Sequence, residues 1–278
     1  ILTAGDGDAI LNGKGGDDTL VGGIGNDTYV GGAGTDTAVI AGGGGEAVDL
    51  ADDSDFTDLD VDDNGIASGT IDGPDGTETL SGIEVIQVAN TDADGNDTFL
   101  VRDGMSIQAA IDAAGDGDTI EVGEGTFTEN LTLDRDVTLL GAQAGVDAKG
   151  RDVEESTGES TIEGTIQVTA PDVMIDGLRV AASGTNPIDA TNDATNFTLT
   201  NTILDHEGDG TALVRINGDG SSAINNVIDR SIDSSSNAGL AVGVNSDDGV
   251  ESATIRGNQL NNTQIGVVTK SSLNGDPA

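Results

Sequence analysis

A period of nine residues is the strongest constraint on this chain. Residues 13–39 read GKGGDDTLV, GGIGNDTYV and GGAGTDTAV, three units in one register. Gly13, Gly22 and Gly31 open the units, Gly16, Gly25 and Gly34 hold position 4, and Gly15, Gly23 and Gly32 add to the glycine content of the loops. Asp18, Asp27 and Asp36 hold position 6, and Leu20, Tyr29 and Ala38 hold position 8. Glycine admits positive φ, so a tight loop can turn its carbonyl oxygens toward one point. The aspartate adds a hard anionic oxygen, and the short run that follows leaves as a strand with one apolar side chain pointing inward. Carbonyls and carboxylates together suit Ca²⁺, which takes about six to eight oxygens at roughly 2.3–2.6 Å.

These repeats resemble the RTX (repeats-in-toxin) calcium β-roll of secreted bacterial proteins. In that family successive loops alternate sides of a flattened right-handed coil, and each ion sits between a loop and the next but one. The resemblance implies that loop 13–18 pairs with loop 31–36, bringing Asp18 and Asp36 to one site. Asp27 would pair backward with the degenerate unit AGDGDAILN (4–12), whose position 6 is Ala9. Lys14 departs from the pattern at position 2. A flexible Gly/Asp linker is the competing reading, and the repeated apolar position 8 argues against it.

Charge bounds the partners. Ten Lys and Arg stand against 51 Asp and Glu, a formal net charge of −41. Such a surface repels nucleic acid and anionic membranes, and self-repulsion opposes compaction unless cations offset it. The 278 residues suffice for one large or two modest domains. Cysteine is absent, so no disulfide framework exists. No apolar run approaches the length of a membrane span and no signal peptide opens the sequence. It begins within a degenerate repeat, as a piece of a longer protein would.

Residues 41–103 read as short strands joined by Asp/Asn-Gly turns, a connecting region. The segment DGTETLSGIEVIQV resembles the β-hairpin region that follows the repeats in RTX proteins. Asp60, Asp62, Asn64 and Gly65 imitate the front of an EF-hand loop, but Ile71 occupies the twelfth position, which favours a hairpin turn. The acidic run 92–97 is read as a turn in the same way.

From Ser106 the texture changes. SIQAAIDAA (106–114) predicts a helix capped by Ser106, with Ile107, Ala110 and Ile111 on one face and Gly115 ending it. Three short strands are expected next, and then a unit recurs as VTLLGA, VMIDGLRV, FTLTNTIL, SAINNVID and ATIRGNQL. Its anchors are Leu139, Ile175, Leu199, Ile224 and Ile255, with TALVRI, GLAVGV and IGVVTK as a second set. Asn201, Asn226, Gly177 and Gly257 are the expected left-handed turn residues. Wider spacings mark insertions at 146–160 and near 246–250. Units this short cannot bury an apolar side alone and must stack as a solenoid.

Residues 104–278 resemble the right-handed parallel β-helix superfamily of pectate lyases and pectinesterases, whose capping helix and first coil the 106–142 stretch matches. The fold class expected is therefore all-β. A calcium-binding parallel β-roll (1–40) is followed, after the connecting region, by a right-handed parallel β-helix (104–278) with an N-terminal capping helix.

Enzymes of that superfamily need a base and cationic help for uronate substrates. The weak catalytic candidates are His206 and Arg215, with Asp205, Asp229, Arg230 and Arg179 near them in sequence. His206 is either a general base held by a carboxylate or a solvated loop histidine, and nothing in sequence converges on it. Arg215 should face outward, paired with an aspartate. Aromatics make up 2% of the chain and Trp is absent, which disfavours a stacked sugar platform. Two functions follow. One is a secreted, Ca²⁺-dependent structural or adhesive module of an extracellular or cell-surface protein, partnered by copies of itself in an oligomer or polymer, or by extracellular polysaccharide. The other is a polysaccharide lyase or epimerase carrying the repeats.

Overall fold

The computed structural model describes residues 1–41, 59–73, 76–89, 95–152, 157–182, 186–206, 212–230, 238–242, 252–261 and 265–269. It divides into two compact units, Ile1–Phe127 and Thr128–Ala278. Among the described residues both are built from β-strands, largely in parallel sheets, and the first contains one α-helix.

In the first unit successive repeats send their strands alternately to two sheets. Leu2–Thr3, Thr19–Val21, Thr37–Ala41 and Val85–Ala89 lie side by side in one; Ile10–Gly15, Thr28–Ala33 and Gly76–Ile83 lie in the other. Strands of alternate repeats therefore pair in parallel, with Leu2 opposite Leu20, Leu20 opposite Ala38, and Leu11 opposite Tyr29. The position-8 side chains Leu11, Leu20, Tyr29 and Ala38 are all buried. Tyr29 is large where Ala38 is small, and its hydroxyl donates to the Val39 carbonyl at 3.1 Å. Such complementary volumes keep the core dense.

The next stretch forms hairpins. Ala67–Gly73 runs antiparallel to Gly76–Ile83 and to Asp60–Val61, and Val85–Ala89 runs antiparallel to Thr98–Val101. Between Val61 and Ala67 the Asp62 carboxylate accepts from the amides of Asn64 and Ile66, a turn closed on itself. Those amides, the Ile66 one first, hold the Asp62 carboxyl below its usual range. The EF-hand imitation is thus a hairpin turn, as the residue at its twelfth position indicates. Of the acidic run 92–97, residues 92–94 lie outside the described residues. The helix spans Ile107–Ala113, with Ser106 accepting from the Ala109 amide at 3.1 Å and Ile107, Ala110 and Ile111 buried.

In the second unit the chain visits three sheets in strict rotation. Leu131–Leu133, Ile166–Val168, Ile188–Ala190, Ala212–Ile216, Ala238–Val242 and Ile265–Thr269 form one sheet. Val137–Leu140, Met174–Asp176, Thr198–Thr200, Ser221–Ile224 and Ala253–Arg256 lie together in another. The third holds Ser160–Ile162, Leu178–Ala182, Ile203–His206, Val227–Arg230 and Gln259–Leu260. Every pairing within this unit is parallel. Three strands, Asp118–Val122, Gly125–Phe127 and Leu131–Leu133, precede Val137–Leu140, the first of the recurring strands.

Two register details differ from the sequence reading. Leu139, Ile175, Leu199 and Ile255 do align, but the residue between Leu199 and Ile255 is Ala223, not Ile224. Period-two alternation turns Ile224 to the other face, and Ala223 is 1% exposed. The left-handed residue of that turn is Asn225 (φ 58°), equivalent to Gly177, Asn201 and Gly257, and not Asn226. Asn226 instead lies buried and serves the stack. Its Oδ1 accepts from the Thr202 amide at 2.8 Å, and its Nδ2 donates to the Leu199 carbonyl at 3.0 Å and to Asn258 Oδ1 at 3.0 Å. Asn258 repeats the motif by donating to the Ala223 carbonyl.

The insertion after Gly141 is packed. Ala148 is buried against Ile203 and Val227 on the outer side of one sheet, and Arg151 donates to the Leu178 carbonyl. Residues 153–156 and 243–250, which hold the rest of the expected insertions, lie outside the described residues.

Asn226→Ala strips partners from a buried amide and a buried carbonyl. Each orphaned group costs about 1–3 kcal/mol. We expect urea denaturation to show a loss of about 2–4 kcal/mol.

Candidate metal centre

The repeat loops stack in pairs on the two edges of the first unit. On one edge loop 4–9 meets loop 22–27; on the other, loop 13–18 meets loop 31–36. The contact is made through main chain. The Gly16 amide donates to the Ala33 carbonyl at 2.7 Å, and the Gly7 amide to the Ile24 carbonyl at 2.5 Å.

The position-6 carboxylate joins each pair. Asp27 Oδ1 accepts from the Ala9 amide at 2.8 Å, and Asp36 Oδ1 accepts from the Asp18 amide at 2.9 Å. Asp27 and Asp36 are 1% and 0% exposed, and the second oxygen of each, Oδ2, is buried with no hydrogen-bond partner. Position 5 forms a matching outer rail: Asp8 accepts from the Asn26 amide and Asp17 from the Thr35 amide. The pairing of loop 13–18 with 31–36, and of Asp27 with the Ala9 unit, is the one the family resemblance implies.

Close approach explains the position-1 glycines. A Cβ on Gly13 would stand 2.7 Å from the Gly31 carbonyl oxygen and 2.8 Å from Asp18 Oδ2. One on Gly22 would strike the Tyr29 hydroxyl and lie 2.5 Å from Asp27 Oδ2; one on Gly31 would strike the Gly82 carbonyl and lie 2.7 Å from Asp36 Oδ2. None of these three has positive φ. Gly16, Gly23, Gly25, Gly32 and Gly34 do have positive φ, and a Cβ on the last four would press on the backbone of the preceding layer. Lys14 takes φ 75° where Gly23 and Gly32 stand at 142° and 120°. A left-handed backbone costs a non-glycine residue about 1–2 kcal/mol. Gly15 is open, with one ordinary contact at 3.8 Å.

Two residues missed in the sequence reading continue the ladder. Glu78 Oε2 accepts from the Asp27 amide at 2.9 Å, and Glu84 Oε2 accepts from the Asp36 amide at 2.6 Å. Thr79 and Leu80 pair with Thr28 and Tyr29, and Val85 and Ile86 with Thr37 and Ala38. Gly76-Thr77-Glu78-Thr79-Leu80 is therefore a second half of the repeat with Glu in place of Asp. In Gly82-Ile83-Glu84-Val85-Ile86 the loop is shortened, so that Gly82 lies against Gly31 while Glu84 takes the place of the Asp. The signal was present as Gly-x-Glu-x-apolar, hidden by the long gap after Ala41. Burial raises the Glu84 carboxyl above its usual range, with the Asp36 charge adding to it. Burial also raises the Tyr29 phenol, reinforced by Glu78 and then Asp27.

The donor set fits Ca²⁺. Among the described residues no three His, Cys, Asp or Glu side chains gather as a metal cluster. What the loops offer is main-chain carbonyls at close approach between layers and single carboxylates, two of whose oxygens are buried and unsatisfied. Hard oxygen donors of this kind suit calcium rather than zinc.

The catalytic candidates of the second unit are dispersed or engaged. Arg215 makes a two-pronged pair with Asp189 on the neighbouring strand, as expected of an outward arginine. Arg179, 6% exposed, pairs with Asp205 at 2.6 Å. Asp229 accepts from Asn261. His206 ends the strand Ile203–His206, in register with Arg230 and on a different sheet from Arg215. Beside Arg179 the insertion places Arg151 against Glu159 at 3.1 Å, both nearly enclosed. Burial raises the Glu159 carboxyl and lowers the Arg151 guanidinium, and each partner offsets part of the other's shift.

Residues 3–38 match the family model of the RTX calcium-binding nonapeptide repeat (4 copies). These repeats bind Ca²⁺, and repeats of this kind are typical of secreted bacterial proteins. No curated protein and no solved structure matches the chain. Among the described residues no helix is long and apolar enough to cross a membrane.

Gly31→Ala should destroy the calcium-dependent gain of β-structure seen by far-ultraviolet circular dichroism, because its new methyl meets backbone that cannot yield. Gly15→Ala should leave that transition unchanged.

Proposed function

We propose that this chain is a calcium-dependent structural or adhesive module of the extracellular space or cell surface. In this reading residues 1–40 form a calcium β-roll, residues 41–103 connect, and residues 104–278 form a right-handed parallel β-helix. Strict rotation through three parallel sheets supports the helix, and the hand follows from the preference of parallel crossovers, about 98% right-handed.

One observation carries the reading: the buried, unsatisfied Oδ2 atoms of Asp27 and Asp36. Burying an ionised carboxylate without a counter-charge costs several kcal/mol. Calcium, when bound, supplies the positive charge that these carboxylates lack. The glycines Gly13, Gly15, Gly16, Gly22, Gly23, Gly25, Gly31, Gly32 and Gly34 would lend the loop carbonyls, and Asp18, Asp27 and Asp36 the carboxylates. The ordered loops exist only in the folded chain, so binding free energy adds to folding free energy. At low calcium the repulsion within a chain of charge −41 favours the unfolded roll. The partners in this reading are further copies of the chain or an extracellular polysaccharide. The engaged pairs Arg179–Asp205 and Arg215–Asp189 support a structural over a catalytic role.

The test is a calcium titration of the full chain followed by circular dichroism. β-Structure should appear as calcium rises, and Asp36→Asn should raise the midpoint about tenfold or more, since ligand charge sets affinity. A spectrum identical in chelator and in calcium, with no ion bound, would overturn the proposal. Release of unsaturated uronate from pectate or alginate would show an enzyme instead.

A further inference from the structure

We infer that Glu78 and Glu84 complete two further calcium sites, formed between loop 22–27 and residues 76–78, and between loop 31–36 and residues 82–84. The inference rests on the calcium reading of the repeats and extends it to residues outside them.

Three correspondences support it. First, the carboxylate-to-amide step is the same on every layer. Asp27 reaches Ala9, Asp36 reaches Asp18, Glu78 reaches Asp27 and Glu84 reaches Asp36. Second, the outer rail continues: the Thr77 amide donates to Asn26 Oδ1 at 2.8 Å, as the Thr35 amide donates to Asp17. Third, the carbonyl geometry continues. The Gly82 carbonyl faces Gly31 as the Gly31 carbonyl faces Gly13, and Gly76 approaches the Gly25 carbonyl as Gly34 approaches that of Gly16.

The charge requirement is most acute in the same place. Glu78 is 1% exposed and stacks on Asp27, also 1% exposed, in the layer next to that of the wholly buried Tyr29. Asp27 Oδ2 and Asp36 Oδ2, the oxygens without hydrogen-bond partners, lie in the loops on which Glu78 and Glu84 stack. Two carboxylates on adjacent layers repel unless a cation lies between them. A glutamate is one methylene longer than an aspartate, and it reaches the same amide from a loop shortened to a few residues. The hairpin 67–83 thereby seats its returning strand as the last layer of the repeat stack, with metal on both edges.

Glutamine tests this cleanly, because its amide oxygen can still accept from the main chain while its charge is lost. Bound calcium is counted by equilibrium dialysis of the full chain. Glu78→Gln and Glu84→Gln should each lose one ion, or bind it about tenfold or more weakly. Tb³⁺ in place of Ca²⁺ separates the two edges, since Tyr29 is the only tyrosine and Trp is absent. Luminescence sensitised through Tyr29 should fall in Glu78→Gln far more than in Glu84→Gln. Unchanged stoichiometry and affinity in both variants, with wild type binding calcium, would overturn this inference and leave the repeat sites standing. Absence of calcium binding in wild type would overturn the repeat sites themselves.

Discussion

The first unit depends on a hydrogen bond from a main-chain amide to a carboxylate one layer on. That bond links successive layers, fixes which loop lies on which, and holds Asp27, Asp36 and Glu78 where water does not reach. A charge-assisted bond of this kind is stronger than a neutral one, but it satisfies only one oxygen. At Asp27 and Asp36 the other is left buried without a hydrogen-bond partner. Stability and ion dependence therefore come from the same atoms. The position-1 glycines belong to the same device. They leave room for the carboxylate and the next carbonyl, and their need is steric rather than conformational.

The second unit solves the stacking problem in part with neutral groups. Two of its turns are linked by Asn226 and Asn258, whose side-chain amides donate and accept at once and add no charge, and an earlier turn uses the Asp176 carboxylate, which accepts from Asn201. Where charge does enter, it is paired between adjacent strands, as in Arg215 with Asp189, or enclosed beneath the insertion, as in Arg151 with Glu159. Enclosed pairs of this sort add little net stability because desolvation consumes the attraction. Their value is positional: they hold the insertion over the sheet on which Ala148 packs.

Much of this was readable in the residues. The nine-residue period placed the loops and the inward position 8, because chain geometry repeats wherever composition repeats, and the resemblance of the repeats to a known family implied the pairing of alternate units. The helix at 107–113 was readable from a cap and an apolar face, and the stacking of short repeated strands in the second unit from recurring Val, Ile and Leu. Register was less secure. Ala223 and Ile224 are both apolar, so local pattern left the inward residue open, and the alignment of neighbouring layers chose Ala223.

By itself the sequence determined that this chain would be a repeat-built β protein with a strongly acidic surface and glycine-tight loops that offer oxygen donors. Those properties follow from composition and period, which act locally. Only the tertiary structure decided that Glu78 and Glu84 stand in for the missing aspartates of the next layer, and that Gly82 supplies a carbonyl to Gly31. The partners lie about fifty residues apart along the chain, and no local pattern carries that separation. What joins them is the exposed edge of the repeat sheets, whose unpaired amides and carbonyls are satisfied by whichever later strand the hairpin brings back.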